Sequence, residues 1–166
     1  ARDWTNMGIK PITVFTDTYV KSMRMCYNIV RQYDENAEVF ASFSHSWTEK
    51  SNPTWYTCKE MIDLLNVYSK VEGDFQWGLA YHSYAQDLTN PCTWNDPNAT
   101  CSMNTQFVTF KNLEVLNKWA LDKENKYKGM IKRSVWLSEA GVNSRGYSDE
   151  ELHYLEALTN LYTHIG

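Results

Sequence analysis

Apolar residues recur along the chain with two different periods, and stretches of the two kinds alternate. Four segments carry apolar residues at every third or fourth position, which predicts helices, and three short β-prone runs between them predict strands. The helices are predicted over 16–33, 53–71 and 109–129 and from 148 onward, and the strands over 37–43, 75–81 and 135–137. Because strands that alternate with helices usually pair in parallel through right-handed crossovers, this order predicts an α/β fold.

Residues with strong capping preferences set several of the predicted helix ends. Asn52 followed by Pro53 is typical of an N-cap and a first helical position. Thr109 is expected to cap the third helix, and Gly129 is expected to stop it. The segment 148–151 has the sequence of a capping box and is expected to open the last helix.

Polar and aromatic side chains follow each of the three predicted strands. His45 and Trp47 follow the first strand, His82 and Tyr84 the second, and Glu139 the third. The carboxyl ends of parallel strands share one edge of a sheet, and this edge is where α/β folds bind ligands. We therefore expect His45, His82 and Glu139 to lie at one edge, within reach of one concave pocket. The plainer alternative is that Glu139 forms a surface salt bridge and that the histidines are structural.

Composition limits the classes of protein to which the chain can belong. The 166 residues are 43% hydrophobic and 22% charged, with a net charge of -4, which suits a single soluble domain over 1–166. The basic residues are scattered, so no nucleic-acid partner is expected, and no apolar run is long enough to predict a membrane span. The chain has neither a Gly-rich phosphate loop nor a CxxC or HExxH motif, so neither a cofactor nor a metal is expected.

The four cysteines divide into two pairs. Cys26 and Cys58 fall within helical patterns, and we expect them to be buried thiols. Cys92 and Cys101 lie in one polar loop and are expected to be close enough to form a disulfide. Such a bridge would fit a secreted or cell-surface bacterial protein, and the sequence leaves the localisation open.

Three phrases of the sequence together resemble a bacterial domain family of unknown function that is grouped with the (β/α)8-barrel glycoside hydrolases. They are the segments 77–86, 109–116 and 137–141, and the resemblance covers nearly the whole chain. It implies part of a TIM (β/α)8 barrel that acts on a carbohydrate. In retaining members of the wider group a Glu that ends the seventh strand is the nucleophile, and Glu139 matches that position. An aromatic residue or a His that ends the sixth strand neighbours the nucleophile, and His82 and Tyr84 match it.

The chain departs from this pattern at the proton donor. The group's acid/base Glu follows an Asn at the end of the fourth strand, whereas residues 1–4 resemble the sequence just after that pair. The resemblance thus implies a barrel segment from after strand four to helix seven. Asp3, Glu49 or Asp87, which lie in loops, could stand in as the acid. Otherwise we expect the chain alone to be inactive and to associate with itself or with the rest of the barrel.

Two other functions remain open on the sequence alone. The first is a carbohydrate-binding barrel without catalysis, in which Trp47 or Trp94 could form a platform for a sugar ring. The chain has 7 Trp and 11 Tyr, although a core rich in aromatic residues explains this number equally well. The second is an unrelated small α/β domain whose polar strand ends are structural.

Overall fold

The computed structural model describes residues 7–90, 92–141 and 159, and the helix predicted from 148 lies outside them. Helices and strands alternate in the described part of the chain, so the predicted α/β class is confirmed. The order is α1 (Ile12–Val30), β1 (Val39–Ser44), α2 (Cys58–Val71), β2 (Trp77–His82), α3 (Glu114–Leu121) and β3 (Val135–Glu139). Among the described residues, none of the helices combines the length and apolar character that a membrane crossing requires.

The three strands form one parallel sheet in the order β1-β2-β3. Ala41, Phe43 and the β2 residues Trp77, Leu79 and Tyr81 are almost completely buried and belong to the same apolar cluster as the buried residues of all three helices. Since side chains alternate across a strand, the intervening positions project from the other face. One face of the sheet is therefore covered by helices, and the other carries the exposed Ser42 and Trp136.

Gly78 makes room for an aromatic pair on the second face. A Cβ atom at Gly78 would lie 2.6 Å from the Phe40 ring and 2.8 Å from the carbonyl oxygen of Ser134. Without a side chain there, Phe40 extends across the sheet and meets Trp136 edge to face, with 6.2 Å between the ring centroids. Only glycine fits this position without displacing the ring or the backbone.

All three of the described helices have boundaries that differ from the predicted ones. The first helix begins at Ile12, just after Pro11, rather than at residue 16. The side chain of Asn52 accepts a hydrogen bond from the backbone N–H of Thr54, and Thr57 instead caps α2 in a capping box with Glu60. The predicted third helix is divided into a single turn at Phe110–Asn112, which Thr109 does cap, and α3, which ends at Leu121.

The predictions for the helical cysteines had opposite outcomes. Cys58, the first residue of α2, is buried as predicted, and desolvation raises the pKa of its thiol well above the ordinary value. Cys26 is exposed, so the prediction of a buried thiol was wrong there. The buried residues of α1 are Phe15, Thr16, Val20 and Met23, and Cys26 is outside this stripe.

Candidate functional site at the carboxyl edge of the sheet

A β-bulge brings the side chain of Glu139 next to β2. Tyr81 pairs with Leu137, but the next residue, His82, pairs with Glu139, so Ser138 is an extra residue on β3. The backbone N–H of Ser83 donates to the carbonyl oxygen of Glu139 at 3.1 Å, which holds the strand end in place. Because side chains alternate along a strand, the extra residue moves Glu139 to the face on which His82 lies.

Two side chains contact the same oxygen of the Glu139 carboxylate. The Nδ1 atom of His82 lies 3.3 Å from Oε2, and the hydroxyl of Tyr84 donates to Oε2 at 3.4 Å. The side chain of Glu139 is 53% exposed and that of His82 is 24% exposed. The carboxylate is therefore held by neighbours on one side and remains open to a ligand on the other.

The electrostatic surroundings keep Tyr84 protonated. Partial desolvation, the negative charge of Glu139 and the hydrogen bond to it all raise the pKa of Tyr84 above its ordinary value. A phenol that retains its proton remains a donor, and the ionised carboxylate can only accept. The Tyr84 hydroxyl therefore remains a hydrogen-bond donor that orients the Glu139 side chain.

The chain matches a family over most of its length. A model of a family of unknown function (DUF5722) matches residues 1–159. The chain belongs to this family. No curated protein and no solved structure matches the sequence.

In this DUF5722 protein, His45 lies at the same edge of the sheet as His82 and Glu139. Its contacts, however, are with a neighbouring loop. It follows β1 directly, and its ring packs against that of Phe107, with 5.6 Å between the centroids. Its carbonyl oxygen accepts from the backbone N–H of Val108 at 2.9 Å. Burial lowers the pKa of the His45 imidazole, although the negative charge of Asp96 opposes this shift.

Trp47 does not fit the role of a sugar platform. It is fully buried, and its indole N–H donates to the carbonyl oxygen of Met103 at 2.9 Å. Both faces of the ring are therefore enclosed by protein, and we correct its assignment to core packing. Trp94, the other candidate, is 44% exposed.

The predicted bridge between Cys92 and Cys101 is absent, because both are free thiols in the structure. The thiol of Cys101 is instead hydrogen-bonded to Glu114, and this contact is the main cause of its raised pKa. This correction removes the argument for a secreted or cell-surface protein that rested on a disulfide.

Two clefts lie near the carboxyl edge of the sheet, and neither is lined by His45, His82 or Glu139. The larger has a volume of about 200 Å³ and lies in the loop after β2, where Ala85, Asp87 and Asp96 contribute to its walls. The predicted single pocket shared by the three residues is thus not among these clefts. Within the described residues, no group of three or more His, Cys, Asp or Glu side chains is arranged to hold a metal ion.

The carboxylates that the sequence offered as proton donors differ in suitability. Asp3 lies outside the described residues. Asp87 accepts hydrogen bonds from the hydroxyl and the backbone N–H of Thr89, which lower the pKa of its carboxyl group. A lowered pKa suits an acceptor and not a general acid. Glu49 is exposed in the loop after β1.

Sequence reasoning missed Ser42, which contacts the site from β1. Its hydroxyl lies 3.0 Å from Nε2 of His82, so the imidazole has a partner at both ring nitrogens. The alternation of buried Ala41 and Phe43 with Ser42 and Ser44 places the serines on the open face. This pattern could have identified Ser42 as a neighbour of the site, although the distance depends on the strand register.

Proposed function

We propose that this protein contributes the nucleophile half of a retaining glycoside hydrolase site, with Glu139 as the nucleophile, and acts on a carbohydrate. The observation that carries the proposal is the Glu139 carboxylate at a strand end, with His82 and Tyr84 both in contact with its Oε2 atom. In the proposal, the sheet is part of a (β/α)8 barrel, and further strands complete the barrel.

The topology fits a segment of a barrel better than it fits a doubly wound sheet. Three consecutive strands pair in sequence order, and the described helices pack on the same face. Successive right-handed crossovers that always move in one direction place every helix on one side, as they do in a barrel. In a doubly wound sheet the strand order reverses and helices cover both faces.

The proposed reaction begins with attack of the carboxylate on the anomeric carbon of a sugar. Because both side chains contact Oε2, we assign the attack to Oε1 of Glu139. The new ester bond forms as the glycosidic C–O bond breaks, and the leaving oxygen takes a proton from an acid. Water then gives a proton back to the deprotonated acid and attacks the same carbon, which releases the carboxylate and yields a sugar of retained configuration.

In this proposal the Tyr84 hydroxyl donates a hydrogen bond to Glu139, and the His82 ring lies against the same carboxylate oxygen. These contacts fix the orientation of the carboxylate. A fixed orientation of the nucleophile serves the first step. Neither residue is assigned to proton transfer to the leaving group.

The acid is proposed to come from the rest of the barrel, beyond the 166 residues of this chain. A retaining site places its two carboxyl groups about 5 Å apart. Of the loop carboxylates within the described part of the chain, Asp87 is disfavoured by the hydrogen bonds that lower its pKa. The proposal therefore predicts that the 166-residue chain alone does not hydrolyse unactivated glycosides, and that the full-length gene product does.

An exposed aromatic pair supports a second candidate, a binding site for carbohydrate without catalysis. Trp136 is 66% exposed and meets Phe40 on the open face of the sheet, the face that also carries His82. Exposed aromatic rings suit the apolar faces of sugars. Under this second candidate, polysaccharides bind but are not cleaved, and Trp136→Ala weakens the binding.

The experiment is hydrolysis of a panel of aryl glycosides by the full-length gene product, with the anomeric configuration of the first product followed by proton NMR. We compare Glu139→Gln with Glu35→Gln, a matched change at an exposed glutamate between α1 and β1. Retention of configuration, loss of activity in Glu139→Gln and full activity in Glu35→Gln are expected. Inversion, or activity that survives in Glu139→Gln, would overturn the assignment. If no glycoside of the panel is hydrolysed but polysaccharides bind, the second candidate is favoured.

A further inference from the structure

His82 is contacted at both of its ring nitrogens, and the two contacts are chemically unequal. Nδ1 lies 3.3 Å from the carboxylate of Glu139, and Nε2 lies 3.0 Å from the hydroxyl of Ser42. A carboxylate in its ionised form accepts hydrogen bonds and cannot donate them, whereas a hydroxyl can do either. The proton positions along this chain of three side chains are therefore determined by Glu139.

We propose that Ser42 is a positioning residue that holds neutral His82 in the Nδ1–H tautomer, so that the N–H and not the lone pair of Nδ1 lies beside Glu139. This inference rests on the proposed function for its consequence in catalysis. The tautomer itself can be measured on the protein without any reaction.

The proton assignment follows from counting donors and acceptors. A neutral imidazole carries one N–H, and a lone pair at Nδ1 would lie 3.3 Å from the negatively charged Glu139 oxygen, so the proton is assigned to Nδ1. Nε2 then has only a lone pair, so the hydrogen bond at this atom must be donated by the Ser42 hydroxyl. Nδ1–H is the less common tautomer of a free histidine side chain. Both neighbours are therefore needed to hold it.

The backbone of Ser42 is itself fixed on the side away from β2. Its N–H donates to the hydroxyl of Tyr19 on α1 at 3.1 Å, and Tyr19 lies in a desolvated position that raises its pKa. A phenol that remains protonated keeps its geometry at this contact over the physiological pH range. Strand pairing with β2 fixes the other edge of β1, so the Ser42 side chain leaves a rigid backbone.

The role assigned to Ser42 differs from that of a nucleophile. A serine beside a histidine that contacts a carboxylate has the order of groups found in serine hydrolases. On the present assignment the Ser42 oxygen forms no bond to substrate. The Ser42 hydroxyl donates to Nε2 of His82, and this hydrogen bond orients the ring. Reaction of Ser42 with a fluorophosphonate probe would contradict this role and would indicate acyl transfer instead.

The first test measures the ring nitrogens of His82 by ¹⁵N NMR at about pH 9, where histidine side chains are ordinarily neutral. Comparison with a His82→Gln spectrum assigns the signals among the four histidines of the chain. We expect the Nδ1–H tautomer to predominate in the wild type, a mixture with more Nε2–H in Ser42→Ala, and the wild-type pattern in Ser42→Thr, which keeps the hydroxyl. Predominant Nε2–H in the wild type, or no change in Ser42→Ala, would overturn the inference.

The second test links the tautomer to the proposed function. In the full-length gene product, Ser42→Ala is expected to lower kcat by up to about 100-fold, the loss that a small misplacement of a reacting group can cause. KM should change little, and Ser42→Thr should restore most of the rate. A changed tautomer with unchanged kcat would overturn the catalytic part of the inference. Complete inactivity of the wild type would instead refute the proposed function and leave the tautomer result standing.

Discussion

The two ends of the sheet each join β2 and β3 through an ionic contact, and the two contacts have opposite character. At the amino end, Arg133 lies 2.8 Å from Asp74, and their side chains are 0% and 9% exposed. At the carboxyl end, His82 lies 3.3 Å from Glu139, and their side chains are 24% and 53% exposed. The first pair is enclosed by protein, whereas the second is accessible to solvent and to a ligand.

The number of hydrogen-bond partners around each ion distinguishes a structural role at the amino end of the sheet from an accessible site at the carboxyl end. Arg133 donates to Asp74 and to the carbonyl oxygens of Phe75, Trp77 and Asn125, and its guanidinium stacks on the Trp77 ring at 4.1 Å. Desolvation lowers the pKa of Arg133, and the contact with Asp74 opposes that shift. An ion buried with this many partners stabilises the fold, while the exposed carboxylate opposite it is available for chemistry.

The largest effect that we predict is loss of stability on substituting the buried ion. Arg133→Met leaves Asp74 and three carbonyl groups without their donor, and breaking a buried pair costs about 3–5 kcal/mol. Urea unfolding followed by circular dichroism measures the change. The matched control is Lys132→Met, at the exposed neighbouring cation, which we expect to change the free energy of unfolding by about 0.5 kcal/mol or less. Equal effects of the two changes would remove the contrast between the ends of the sheet.

The corresponding change at the other end should hardly affect stability. Glu139→Gln removes an ion pair that is about half exposed, and such pairs contribute about 1 kcal/mol or less. Tyr84→Phe, which removes the hydroxyl donor to Oε2, should have an effect of similar size. The same unfolding experiment measures both. A loss as large as that of Arg133→Met would indicate a structural role for Glu139.

The smallest predicted effect is a dependence of stability on pH that originates at His45. Its pKa in the folded state is lowered by burial, so the unfolded chain takes up a proton first as the pH falls below about 6.5. The contribution of His45 is thus complete above that pH and is lost as the pH falls through the folded pKa. Between pH 7 and 5, the free energy of unfolding of His45→Gln should therefore fall less steeply than that of the wild type. An unchanged slope would contradict the assignment.

The sequence predicted the presence of the helices and strands better than the residues at which they begin and end. The alternating periods identified α1 to α3 and β1 to β3 because burial on one face imposes them. The start of α2 was misplaced because Asn52 and Pro53 carry the signature of a helix start, while Thr57 and Glu60 form the actual capping box.

The candidate site was only partly visible in the sequence. The positions of His82, Tyr84 and Glu139 at strand ends brought them together, and the structure shows their contacts. The contribution of Ser42 depends on strand register, and the orientation of Glu139 depends on a single-residue bulge at Ser138. The alternation in β1 indicates the face of Ser42 but not its distance from His82, and the bulge has no local sequence signal, because both depend on pairing between distant segments.

The central claim, that Glu139 is a nucleophile, can be tested most directly by covalent trapping. Glycosides with fluorine at C2 and a dinitrophenolate leaving group form a stable glycosyl ester, and this leaving group departs without a proton donor, so the test does not depend on the identity of the acid. The full-length gene product is incubated with a panel of such sugars, and intact-mass and peptide mass spectrometry then locate the adduct. The account predicts one glycosyl group on Glu139, and none in Glu139→Gln. Labelling of another carboxylate, or no labelling by sugars that the protein hydrolyses with retention, would contradict it.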